Sequence, residues 1–158
     1  MNIRDAHALT VKAVDAQIDS IREFLSSQES SSILCQLHPI DSLFEIRTLR
    51  IGLPRSRGNT EIIRRIAAPG DLVLVLNEQR VSLMAHGMDC EVMCIDRFLN
   101  ARRGAHATYN IIWIDEEDVL QKIHHPLAYA IIQSLGEAGV MVVVGASRRS
   151  INSPLTMS

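Results

Sequence analysis

The sequence predicts an α/β fold: a three-layer sandwich around a mainly parallel, five-stranded sheet, with an amphipathic helix added at the N-terminus. Three observations lead there. From Ile33 onward, short apolar runs alternate with helical patterns, the order that a repeated strand, helix, strand unit requires. Three of the five runs are apolar almost throughout, as strands covered on both faces must be. The chain has 158 residues, enough for one domain with a real core, and at 47% hydrophobic with only 4% aromatic residues that core must be aliphatic.

Residues 3–25 place Val14, Ile18, Ile21 and Leu25 at helical spacing with Asp15, Asp19 and Arg22 between them, so an amphipathic helix is expected across residues 1–27. The stretch SSQESSS, 26–32, ends it and reads as a flexible linker; linker and lead-in occupy 28–43. Whether the helix packs on its own domain or reaches a neighbouring subunit stays open at this point. The core spans 44–147. Its strands are expected at FEIRTLRIG (44–52), DLVLVLN (71–77), EVMCID (91–96), YNIIWID (109–115) and VMVVVGAS (140–147). Helices are expected at 60–67, 79–87, 97–103 and 126–137, the last opening on Pro126, which suits a first helical turn. The tail, 148–158, has little apolar content and is expected to fray or to serve as a tether.

With 16 basic and 18 acidic residues the net charge is −2, so no global field draws the chain to nucleic acid or to an anionic membrane. No apolar run approaches the ~18 residues of a membrane span. The three cysteines, Cys35, Cys90 and Cys94, are odd in number and follow no secretory signal, which implies reduced thiols and a cytoplasmic setting. Cys90 and Cys94 lack CxxC spacing and read as buried thiols of one strand. The basic residues are 14 Arg and 2 Lys, and six of the arginines fall between Arg47 and Arg65. That island is either a solvated surface or a phosphate-facing one, since guanidinium groups grip phosphate in a bidentate fork.

The stretch GLPRSRGNT, 52–60, lies between a strand and a helix, as a phosphate-binding loop does. In such a loop, G-x-x-x-x-G-K-[ST], backbone N–H groups curl round the phosphates, a lysine bridges the terminal ones and a hydroxyl holds magnesium. Here Gly58 and Thr60 are kept, Gly52 stands one residue too far away, and Asn59 replaces the lysine. A second motif, NIIWIDEED, delivers Asp115 and Glu116 at the end of an apolar strand; the plainer alternative is that residues 115–118 are the acidic first turn of a following helix. A third, VMVVVGAS, ends in Ser147 and is followed by Arg148 and Arg149.

In order and position these motifs resemble the P-loop ATPase core shared by helicases, large terminases and related motor proteins, over roughly two thirds of the chain. The resemblance implies that Pro54, Arg55, Ser56, Arg57, Gly58, Asn59, Thr60 and Ser147 contact a nucleoside triphosphate such as ATP. It further implies that Thr60 and Asp115 hold Mg2+, that Glu116 polarises the attacking water, and that the VMVVVGAS strand lies beside the phosphate-loop strand. Asn59 brings neither charge nor reach, so hydrolysis is expected to be slow or dependent on a partner. Arg102, Arg103 and Arg148 are candidates for arginine fingers or nucleic-acid contacts, with solvated surface as the bland alternative.

Two other function classes remain in view. One is a P-loop-like module without catalysis that binds nucleic acid through the arginine island or self-associates through its N-terminal helix. The other is a doubly wound domain for a mononucleotide or phosphosugar that ignores magnesium. The pair His124 and His125 has no HExxH context and reads as a surface turn, Trp113 reads as core, and no G-x-S-x-G elbow supports a hydrolase triad.

Overall fold

In the computed structural model, which describes residues 3–27, 33, 35–51, 57–101, 108–115 and 125–144 (backbone alone at 3–8, 57–60, 101 and 125), the first element is helix α1 (Ile3–Leu25). Its apolar stripe is the expected one: Val14, Ile18 and Leu25 are buried, Ile21 packs beside them, and Asp15 and Asp19 face solvent. The stripe joins a cluster with Val140 and Val142 of the sheet, so α1 covers the sheet of its own chain.

Residues read from the sequence as lead-in and strand start form helix α2 (Pro39–Glu45) instead. His38 accounts for the difference. Its Nδ1 accepts the Ile40 N–H at 3.2 Å, capping the first turn, and Pro39 brings no N–H that needs a partner there. Leu43 therefore becomes a buried helical residue, and strand β1 (Thr48–Ile51) starts four residues later than expected, tied back by the Thr48 hydroxyl donating to the Leu43 carbonyl at 2.6 Å. The chain continues as α3 (Arg57–Ile66), β2 (Leu72–Val75), α4 (Glu78–Ala85), β3 (Glu91–Cys94), α5 (Ile95–Ala101), β4 (Tyr109–Asp115), α6 (His125–Ser134) and β5 (Leu135–Val144).

All five strands are parallel, in the order β1-β5-β4-β2-β3. This order explains where the helices go. From β1 the chain moves outward to β2 and then β3, and afterwards returns to β4 and β5. Parallel crossovers are almost always right-handed, so outward connections lie on one face and returning ones on the other. Accordingly Ile63 of α3 and Met84 of α4 share the α1 cluster, whereas Phe98 of α5 and Ile131 of α6 share the opposite cluster with Leu43 of α2.

The central strands alternate between these two cores. Ile112, Ile114, Met141 and Val143 enter the α6 cluster, while Ile111, Trp113, Val140, Val142 and Val144 enter the α1 cluster. A fully buried aliphatic side chain contributes about 1.5–3 kcal/mol, which is why apolar residues at every position are tolerated only in these inner strands.

Two local features are anchored by single residues. Between Tyr109↔Leu135 and Ile111↔Val140, β5 takes five steps for two on β4, so residues 136–139 bulge out of register. The Arg47 guanidinium holds that bulge, Nε donating to the Gly139 carbonyl at 3.0 Å and Nη2 to the Gly136 carbonyl at 2.5 Å. Burial holds the Arg47 group below its ordinary pKa. Gly139 fits because a Cβ there would stand 2.8 Å from Leu135 Cβ. The bulge also explains why α6 stops at Ser134, earlier than the sequence suggests.

At the turn into β2, Gly70 takes a φ of +96°, and Asp71 follows it at 3% exposure. One Asp71 carboxylate oxygen, Oδ2, accepts the Ala68 N–H at 3.0 Å and the Trp113 indole N–H at 3.2 Å. Burial pushes this carboxyl above its usual pKa, while those bonds and the Arg22 charge pull the other way.

Candidate functional site

In parallel sheets of this kind ligands bind outside the carboxyl ends of the strands, where neighbouring strands send their helices to opposite faces. The register places Ile51, Val144 and Asp115 in one row at that edge, and Val75 pairs with Cys94 at the far side. Asp115 is the last residue of β4 and is 5% exposed, so its carboxylate is delivered to the edge by a strand buried throughout its final five residues. One strand, β5, separates it from Ile51; two strand spacings put their Cα atoms about 10 Å apart.

Helix α3 begins at Arg57, three residues before the expected start, so Gly58, Asn59 and Thr60 belong to its first turn. The first-turn N–H groups of a helix lack intrahelical partners, and this helix is the element that follows β1 in the chain. Of the other residues assigned to the site, Pro54, Arg55, Ser56, Arg102, Arg103, Glu116, Ser147 and Arg148 lie outside the described residues, as do the side chains of Arg57, Asn59 and Thr60. Of the expected site, the described structure places Asp115 at the carboxyl edge and Gly58, Asn59 and Thr60 in the first turn of α3.

The arginine island divides. Arg47 sits before β1, at the amino edge, clamping the β5 bulge. Arg64 reaches across to α4, Nη2 donating to the Leu83 carbonyl at 2.9 Å, and Arg65 pairs with Glu61 one turn earlier at 3.1 Å. Arg50 is exposed on β1, beside a hollow of about 380 Å3 against α1. Proximity in sequence put these groups together; the strand and helix geometry points them to different surfaces.

A cleft that the sequence reading did not find opens between β2 and β3, where α4 and α5 depart to opposite faces. It measures about 710 Å3 and is lined by Leu76, Asn77, Glu78, Asp96, Arg97 and Asn100 around the Cys94 thiol. Cys94 donates to Glu78 Oε1 at 3.3 Å, and Arg97 Nε stands 3.9 Å from the same oxygen. Asn77 caps α4, its side-chain oxygen accepting the Arg80 N–H at 3.0 Å. The cap pattern is legible in the sequence, but the cleft depends on strand order and is not.

The cysteines are all free: Cys94 is buried in β3, as expected, Cys90 is half-buried and precedes that strand instead of lying in it, and Cys35 is exposed. The Cys90 thiol is pushed up by burial first and by the Asp71 charge second. Trp113 is a core residue at 0% exposure. Among the described residues no three His, Cys, Asp or Glu side chains stand together as a metal site, and no helix is long and apolar enough to cross a membrane. No protein-family model, curated protein or solved structure matches this chain.

Proposed function

We propose that this chain is a three-layer, P-loop-like domain that binds a nucleoside triphosphate at the carboxyl end of β1, with hydrolysis slow or dependent on a partner. The observation that carries the reading is the strand order. Because β5 lies between β1 and β4, Asp115 stands in the same row as Ile51, the last residue of β1 before the 52–60 stretch, with one strand between them. A polyphosphate and its cation need about that much room between a loop and a carboxylate.

In this reading residues 54–60 cradle the phosphates, with the first turn of α3 contributing N–H donors and its dipole. Thr60 and Asp115 would hold Mg2+, which when bound neutralises charge on the terminal phosphates. Glu116 orients the attacking water, and Ser147 meets the terminal phosphate. Asn59 leaves the transition-state charge without the usual ammonium, and Arg55, Arg57 or an arginine from a second subunit could supply a cation in its place.

Calorimetric titration of Mg·ATP into the protein and into Asp115→Ala tests the proposal. Binding that weakens in the variant supports it; the absence of heat with both proteins at millimolar ligand rejects it.

A second reading, a module that has lost catalysis and works by binding nucleic acid or assembling, is favoured by Asn59 alone. The engagement of Arg47, Arg64 and Arg65 within the fold weakens its nucleic-acid form, and the burial of the α1 stripe weakens assembly through that helix. Undetectable binding to DNA and RNA at low salt would remove the former.

A further inference from the structure

We draw no further inference here: the strongest candidate, the cleft at the carboxyl ends of β2 and β3 walled by Glu78, Asp96 and Arg97 around the Cys94 thiol, carries nothing because its two carboxylates are the first-turn acids that the N-termini of α4 and α5 favour and nothing in the structure shows what covers it.

Discussion

Replacing Arg47 by alanine separates the phosphate-facing role that the sequence leaves open from the structural clamp that the fold shows. The guanidinium makes two bonds to main-chain carbonyls of the 136–139 bulge, at 3.0 and 2.5 Å. Hydrogen bonds from a charged donor contribute about 1.5–3 kcal/mol each, so the two together amount to roughly 3–6 kcal/mol. Burial of the charged group, the cause of its lowered pKa, offsets part of this, leaving a net loss of about 2–4 kcal/mol. Against a total stability of about 5–15 kcal/mol that is a large fraction. With a urea slope of about 2 kcal/mol/M, the unfolding midpoint should fall by about 1–2 M. The chain has one tryptophan, buried Trp113 on β4, whose fluorescence reports the transition. Lysine at position 47 should recover less than half of the loss, because one ammonium cannot reproduce the planar fork that spans both carbonyls. Arg47 also stands at the amino edge, a strand length of roughly 13 Å from the proposed phosphates, so nucleotide affinity should not change in the folded variant. A midpoint shift below ~0.3 M, combined with weakened binding of Mg·ATP or nucleic acid, would refute the clamp.

The remaining expectations concern the site, the buried carboxylate and the core. Asn59→Lys should raise ATP hydrolysis by at least about tenfold if 52–60 is a phosphate loop, since it returns transition-state charge stabilisation; an unchanged rate in a phosphate-release assay counts against the loop. Asp71 has a folded pKa above its unfolded one, so its ionisation opposes folding, and its contribution becomes more favourable as pH falls through the folded pKa toward the unfolded value. Asp71→Asn should therefore be more stable than the parent at pH 7, with the difference shrinking on acidification; urea titrations at pH 7 and pH 4 that show a widening gap would contradict the assignment. Ile112→Ala removes a side chain at 0% exposure and should cost about 2–5 kcal/mol. Leu83→Ala, at a side chain 70% exposed, should stay within about 0.5 kcal/mol in the same denaturation series.

Much of the architecture was legible because it depends on periodicity alone. The stripe of α1, the continuous apolar runs of β2, β4 and β5, and the alternation of strand and helix follow from spacing along the chain, and each reappears in the structure. Boundaries failed where a tertiary contact intervened. Phe44 and Glu45 look like strand residues, but the His38 cap commits them to α2. Residues 135–137 look like a helix end, but Arg47, some 90 positions away in sequence, holds the carbonyls of Gly136 and Gly139 in the β5 bulge.

The same division holds for the candidate site. By itself the sequence determined an aliphatic α/β domain and a carboxylate at the end of one of its strands, since these are properties of neighbouring residues. Local pattern did not decide that Asp115 shares a row with Ile51 across β5, that Arg47, Arg64 and Arg65 bond to different parts of the fold, or that a cleft opens beside Cys94; the tertiary structure did. Strand order is not written in local pattern. It is set by which buried faces pair when the crossovers close, and the buried runs Leu72–Val75, Ile111–Ile114 and Val140–Val144 are apolar enough to satisfy more than one neighbour.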